Sequence, residues 1–427
     1  MHTKSIILSN FSRSIKTRSS CYSLQNLREY TVCGKNSLAR GAGLSYSDCC
    51  LNDQGIVLKT DRLNHCISFD NQTGILICEP AVTFADLFLI DHEYIPPVLP
   101  GTLYATLAGG VANDIHGKNN AKSGTLGQHI LWLDLQIGSE IIRCSRETNA
   151  ELFFATKAGL GLTGFIRHIA LRLKKNSSFV EVTTEKYLEI GAVLEKMQDQ
   201  ATEQEYQVAW LDLLNAPRAL LYSANHCEPR EYNSLKAIKT YSILPLPFRL
   251  ICKWNMKQFN QYRFQFSDTK KYITSLADFN NPLDRVKGWV NLYGPSGLLQ
   301  FQAVFNAKNA NETLMRLFQI IKDAQAIPTL SVLKYFSQAG SGLLSFVQPG
   351  FTIAIDFINN EYAKKAIRNM NAFITSIEGK VYLAKDLLLT KEQFSKQYET
   401  HTSFIKLLKQ LGTPMHSDLA KRLGLIS

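Results

Sequence analysis

The sequence predicts an α+β protein of two domains, and three observations carry that prediction. Runs of strand length and runs of helical period follow one another irregularly, without the strict strand-helix alternation of a doubly wound parallel sheet. The chain has 427 residues, more than one domain usually holds. A polar stretch without apolar anchors, Lys174-Lys175-Asn176-Ser177-Ser178, divides it.

Residues 1–30 are polar and basic with little periodicity and read as an arm on the surface. From Thr31 the pattern changes. The stretch SLARGAGLSYSD (37–48) is a short glycine turn carrying Arg40, placed before a strand at Gly55–Lys59. A Gly41-x-Gly43 turn alone specifies no ligand. His65–Phe69 and Gly74–Glu79 read as strands joined by a turn, and Thr83–Asp91 as a short helix. Pro96, Pro97 and Pro100 stop any helix and bring the chain, extended, into a glycine-rich stretch. Ile130–Ile137 and Glu140–Cys144 read as a hairpin around Gly138-Ser139, Asn149–Ala158 as a helix and Phe165–Leu173 as a strand.

Between these flanks lies PGTLYATLAGGVANDIHGKNNAKSGTLG (100–127), with six glycines, a histidine and two lysines and no regular apolar period. Glycine tolerates close backbone approach and positive φ. Runs of unpaired N–H groups form anion-cradling nests, and Lys118 and Lys122 add positive charge. A phosphate-bearing ligand suits such a loop; a ligand-free glycine-rich surface loop is the plainer reading of the glycines alone.

Beyond Ser178, strands are predicted at Val180–Thr184, Tyr206–Leu213 with Trp210, Leu298–Phe305, Leu330–Tyr335 with Lys334, and Thr352–Phe357. Helices are predicted near Ile190–Met197, at Asn311–Gln325 and at Glu361–Ile377, giving a sheet covered by helices on one face. Gln300 and Gln302 share one face of their strand, able to bond a polyol or simply to face solvent. The middle segment Ser242–Phe279 interleaves aromatics with Arg and Lys. Without an RNA-binding signature this favours packing or a lipid-facing surface over nucleic acid. VYLAK (381–385) reads as a strand, Thr390 and Gln393 as a capping box, and Ser417-Asp418 as the start of a final helix.

Composition bounds the function. Hydrophobic residues make up 45% and charged residues 19%, an ordinary globular balance. The net charge of +11 suits an acidic ligand, an anionic membrane or nucleic acid, and does not choose among them. Nine cysteines without CxxC or metal-ligand spacing argue for reduced thiols and against a disulfide framework or a zinc site; no metal is expected. No apolar run is long enough for a signal peptide or a membrane span, so a cytoplasmic protein, soluble or peripheral at the inner membrane, is expected.

The motifs ARGAGLSYSD (39–48), PGT with GG and DIHGKN (100–119), SGTLGQH (123–129), ELFFAT-x4-GLTG (151–164), GPSGLLQFQ (294–302) and AKD (384–386) occur in order. Together they resemble the FAD-dependent decaprenylphosphoryl-β-D-ribose 2′-oxidases of the vanillyl-alcohol-oxidase/p-cresol-methylhydroxylase superfamily, over nearly the whole chain from about Phe11. DIHGKN with the distant AKD is the specific part.

The resemblance implies an FAD-binding domain of the p-cresol-methylhydroxylase type at 1–176, an inserted α+β substrate domain at 177–379 with an antiparallel sheet covered by helices, and a segment 380–427 returning to the FAD-binding domain. It implies an FAD site formed by Arg40, Gly41, Ala42, Gly43, Leu44, Ser45 and Tyr46. Pro100, Gly101, Thr102, Gly109, Gly110, Ala112, Asp114, Ile115, His116, Gly117 and Asn119 continue that site, with Ser123, Gly124, Ile166 and Tyr382 flanking it. Leu44 stands where some relatives attach flavin through histidine, so the FAD is expected to be non-covalent. Lys385, Tyr46 and His116 are the expected catalytic residues: Lys385 holds the substrate oxygen or stabilises charge on the flavin, and Tyr46 orients or deprotonates the hydroxyl. Lys118, Trp210, Gln300, Gln302 and Lys334 are expected on the substrate side.

The implied reaction oxidises the 2′-hydroxyl of a polyprenyl-phosphoryl ribose to a ketone, the first half of an epimerisation to the arabinose donor for cell-envelope glycan. A short-chain NAD(P)H-dependent reductase would complete it, and a quinone or other acceptor would reoxidise the flavin. A flavin oxidase of a soluble sugar, alditol or aldonolactone is the competing reading, and a non-catalytic flavin- or nucleic-acid-binding protein a third. Two departures from the family pattern stand out: Ala354 replaces a cysteine of the mycobacterial members, and the segment before Arg40 is shorter than the family's usual helix.

Overall fold

The computed structural model describes residues 3–30, 36–215, 217–228, 240–267 and 269–426. Strand runs assemble into three main sheets. The first has four strands in the order Lys4–Ser9, Lys16–Ser23, Ile56–Lys59, Ser37–Arg40, and its last three are parallel. The N-terminal residues are therefore not a surface arm. Their first two strands pair antiparallel from Lys4↔Cys21 to Ser9↔Lys16, and this backbone pairing leaves no amphipathic period to read. Cys33 and most of the short segment before Arg40 lie outside the described residues.

The second sheet is antiparallel, in the order Cys66–Asp70, Ile75–Cys78, Phe165–Arg172, Ile130–Ile137, Glu140–Ser145. The expected hairpin about Gly138 is present, with the glycine at φ +62 in the turn. The expected helix at Thr83–Asp91 is cut to the single turn Phe84–Leu87, held by a capping box between Thr83 and Asp86.

The third sheet has eight strands: Lys271–Ser275, Phe179–Tyr187, Arg218–His226, Tyr206–Asp212, Pro328–Phe336, Gly350–Ile358, Leu298–Phe305 and Lys380–Val381. Period-two alternation sorts its side chains. Leu211, Phe301, Ala303, Leu333, Ile353 and Ile355 point to the face covered by the helices Ile190–Asp199, Ala310–Asp323 and Glu361–Ser376 and enter the largest apolar core. Their neighbours Trp210, Gln300, Gln302, Lys334, Ala354 and Asp356 line a cavity on the opposite face. The chain is thus α+β, as its patterning indicates.

VYLAK is a strand only at Lys380–Val381, which pairs with Ala303 and Val304. At Tyr382 the chain turns, with the Lys385 and Asp386 N–H groups both donating to the Tyr382 carbonyl. The turn is fastened to the first glycine loop, because the N–H groups of Tyr46 and Ser47 donate to the Ala384 carbonyl at 3.1 and 3.2 Å. Arg422, on the helix Asp418–Leu423, clamps both pieces. It donates from Nε and Nη2 to Asp48 and from Nη1 to Asp386, each at 2.9 Å. The capping box at Thr390 and Gln393 forms as the sequence indicates. No helix among the described residues is long and apolar enough to cross a membrane.

Candidate active site

A cavity of about 930 Å³, at the upper end of ordinary ligand sites, lies between the two glycine-rich loops and the open face of the eight-stranded sheet. One wall is backbone. Gly41, Ala42, Gly43, Leu44 and Ser45 all line it, and among the described residues no protein group accepts from their five successive N–H groups. The loop is braced from behind by Arg40, whose guanidinium donates to the carbonyls of Ser9 (2.8 Å) and Cys50 (2.5 Å). Gly43 has φ +68, and a Cβ there would run into that guanidinium. Such a row of unpaired donors in a cavity is an anion nest. It fits a diphosphate.

Opposite this loop, Pro100, Gly101, Thr102, Gly109, Gly110, Ala112, Ile115, His116 and Gly117 line the cavity, with Ile166 and Tyr382 beside them. Four residues expected here do not. Asn119 is buried and donates to the Pro97 carbonyl at 2.8 Å. The Asp114 carboxylate accepts from Gly127 N–H (3.0 Å) and Ser345 Oγ (2.7 Å), and so knots the loop internally. The Ser123 carbonyl is bonded to the His129 ring, and Gly124, at φ +63, lies against the Gln128 side chain. These four hold the loop's shape, which spacing within the motif does not distinguish from contact with a ligand.

The other wall is made of side chains, and strand register places them. Gln302 stands opposite Ala354, which stands opposite Val332 and then Trp210. In the next row Gln300 faces Asp356, which faces Leu330, and Lys334 faces Thr352 on the far side. Gln302 donates to His116 Nε2 at 2.9 Å, which puts the ring proton on Nδ1, and that atom is buried without a partner. The imidazole sits among Phe336, Phe346 and Tyr382 at centroid distances of 5.0 to 5.4 Å. Burial, then the charges of Lys334 and Lys385, hold it well below the ordinary histidine range, so it is neutral.

Three lysines reach this space. Burial lowers Lys385 to about 8 against the pull of Asp356, and its Nζ lies 4.0 Å from the centre of the Tyr46 ring. Lys334 is lowered to about 7 by burial and by Lys385. Lys118 falls to about 7 through burial, Lys334 and Arg263, and its Nζ donates to the Phe279 carbonyl at 2.7 Å. Tyr46 moves the wrong way for a base: burial, then Asp356 and Tyr293, push its phenol well above the ordinary range. It can hold an oxygen but not take its proton at neutral pH.

Sequence reading missed Asp356. Its Oδ1 accepts from Gln300 Nε2, its Oδ2 is buried without a partner, and burial raises it to about 6 despite Gln300 and Lys385. The signal was present in GFTIAIDF, where Thr352, Ala354 and Asp356 share one face at period two. Arg263 and Tyr222 were missed as well; the guanidinium lies 4.8 Å over the Trp210 ring and donates to the Tyr222 hydroxyl at 3.3 Å.

A nest of free N–H groups facing a wall of acid, amide and ammonium groups fits a flavin-dependent oxidoreductase. Comparison with known proteins agrees. Residues 27–145 match the FAD binding domain family. The chain is 26% identical over 423 residues, 92% of its length and 90% of the relative's, to the decaprenylphosphoryl-β-D-ribose oxidase of Mycolicibacterium smegmatis. L-gulonolactone oxidase of Bos taurus is 25% identical over 43% of this chain and 42% of its own. An uncharacterized oxidoreductase of Rhodococcoides fascians is 30% identical over 40% of each. The chain is an FAD-binding oxidoreductase, similar over nearly its whole length to a decaprenylphosphoryl-β-D-ribose oxidase.

Proposed function

We propose that this protein oxidises the 2′-hydroxyl of a polyprenyl-phosphoryl pentose, a decaprenyl-phosphoryl-β-D-ribose or close analogue, to the 2′-ketone, as the first half of an epimerisation. The observation that carries the reading is the sheet wall and its border: an unpartnered carboxylate oxygen, two glutamines and Lys334 on the strands, with Lys118 and Lys385 beside them, converge where a sugar and its phosphate would lie. Likeness to the mycobacterial relative over nearly both full lengths supports it.

Gly41–Ser45 would hold the FAD, which when bound would supply the hydride acceptor. Gln300, Gln302 and Tyr46 hold the sugar hydroxyls. Asp356 Oδ2 takes the hydroxyl proton while the C2′ hydrogen leaves with its electron pair, and the C–O bond becomes a carbonyl. A base near 6 is ionised at neutral pH yet still basic enough to serve. The Lys385 ammonium lies beside the oxygen as it gains negative charge, and in a dry site such a partner is worth several kcal/mol. Neutral His116 keeps Nδ1–H free to donate. Lys118 and Lys334, with Arg263 behind them, meet the phosphodiester.

The FAD is dissociable in this reading. Leu44 has no nucleophile, and burial raises the thiols of Cys49 and Cys50, the latter to about 12, so neither is a ready partner for the flavin. The division proposed is 1–176 for the cofactor, 177–379 for the substrate and 380–427 returning to the cofactor. The Arg422 clamp supports the return. A short-chain NAD(P)H-dependent reductase would consume the ketone, a quinone or other acceptor would reoxidise the flavin, and the lipid tail would bring the enzyme to the inner face of a membrane.

The test is the visible spectrum before and after anaerobic addition of a polyprenyl-phosphoryl ribose analogue. Bands near ~375 and ~450 nm that bleach on addition are expected. Bands that persist until an alditol or aldonolactone is added would move the substrate to a soluble sugar.

A further inference from the structure

The helix Lys253–Phe266 has a face the active site does not use. Its inner side carries Asn260 and Phe264, both buried, and Arg263, which lines the cavity. Its outer side carries Trp254 (73% exposed), Tyr262 (64%), Phe266 (60%) and Phe259 (52%), which fall within one arc of the helical wheel at 100° per residue. The other residues on that arc, Asn255, Gln258 and Gln265, are uncharged amides. Four large aromatics turned to water on one helix are not explained by packing.

Neighbouring chain adds to this surface. Tyr241, Leu244, Phe248 and Leu250 are exposed. They lie on a stretch held in place by pairing of Tyr241–Ser242 with Val286–Lys287 and by the Leu250 N–H donating to Leu292. Gly294, at φ +70, lets the Phe248–Arg249 backbone pass where a Cβ would collide. The cavity rim is itself apolar and exposed at Tyr104, Tyr272 and Leu283. From Thr240 to Ser275 the sequence carries six basic residues, Arg249, Lys253, Lys257, Arg263, Lys270 and Lys271, against one acid, Asp268.

Aromatic side chains at water's edge with cations around them match an anionic lipid surface, where rings enter the headgroup layer and basic groups meet the phosphates. A protein partner would need acidic groups around an apolar socket; a bilayer supplies both over any area and adjoins the cavity mouth. We propose that the outer arc of the helix Lys253–Phe266, with the stretch Tyr241–Leu250, docks this protein on an anionic bilayer with the cavity mouth turned towards the lipid. The docking deepens the lipid-linked reading above and gives the tail a path from membrane to sheet wall.

The test is co-sedimentation of the full FAD-loaded chain with vesicles of phosphatidylcholine containing phosphatidylglycerol, and with phosphatidylcholine alone. Binding to the anionic vesicles that weakens as salt is raised is expected. The double variant Trp254→Ser, Phe259→Ser should bind about tenfold more weakly or less still, with its flavin spectrum and melting temperature unchanged. Neither residue touches the cavity, so turnover of a short-chain, water-soluble substrate should also be unchanged. Equal binding by parent and variant would overturn the proposal, as would absence of binding to anionic vesicles. A parent that is dimeric and a variant that is monomeric, with no lipid binding by either, would assign the arc to a second copy instead. Vesicle binding requires no turnover, so failure of the substrate assignment and failure of the docking face read out separately.

Discussion

The two walls of the cavity are built by opposite means. The Gly41–Ser45 loop offers five backbone N–H groups and hardly any side-chain chemistry, while the sheet wall offers Lys334, Gln300, Gln302 and Asp356 from alternate strand positions. A backbone wall specifies a ligand by shape and tolerates sequence change except where a Cβ would intrude. A side-chain wall can tune proton affinity, since burial and neighbouring charge move Asp356 up and the lysines down. Cofactor holding and substrate chemistry are thereby separated.

Gly43→Val is the sharpest way to break the first wall. The positive φ excludes a β-branched residue and the Arg40 brace leaves it no space, so the purified variant should be folded and nearly colourless, with FAD affinity down about 100-fold or more. A yellow variant of normal affinity would show that the loop does not hold the diphosphate. Lys385→Met attacks the junction of the walls. It should keep FAD yet slow substrate bleaching by about 10³-fold in anaerobic stopped flow.

The pH profile of that bleaching tests the second wall. Asp356 must be ionised, so the rate should rise through about 6; Lys385 must stay charged, so it should fall again through about 8. Asp356→Asn should lose about 10²-fold and the acidic limb together. An unchanged acidic limb would take the base role from Asp356.

The clamp joining the regions is tested by stability. Arg422→Leu leaves Asp48 and Asp386 buried without their cation, at a cost of about 3 kcal/mol in denaturant unfolding. Raised pH should not relieve that loss, since burial raises the Asp48 carboxyl and only its protonation at lower pH would ease it. Ala354→Cys is the smallest change, adding one thiol to a wall with space before it; bleaching should stay within about threefold of the parent.

Much of this was legible in the chain. The strands read at Ile130–Ile137, Leu298–Phe305 and Tyr206–Leu213 followed from apolar runs of strand length, the last ending one residue earlier at Asp212, and both glycine loops from composition. The N-terminal hairpin was not legible, because Ile6-Ile7-Leu8 runs apolar without alternation, Lys16–Ser23 is mostly polar, and the two strands are identified only by the partner they pair with. Asp114 and Asn119 were placed in the cofactor site because they share a motif with His116, yet both turn inward to hold the loop.

By itself the sequence determined the alternating faces of the strands, the glycines that permit a backbone nest, and the residue types available for acid, amide and ammonium chemistry. Those are local properties, set by period and by φ preference. Only the tertiary structure decided that Asp356 belongs with Lys385, some thirty residues further on, and that the surroundings of Tyr46 hold its phenol too high to be a base. Proton affinity depends on solvent exclusion and on charges brought close by other strands, and neither is a property of neighbours along the chain.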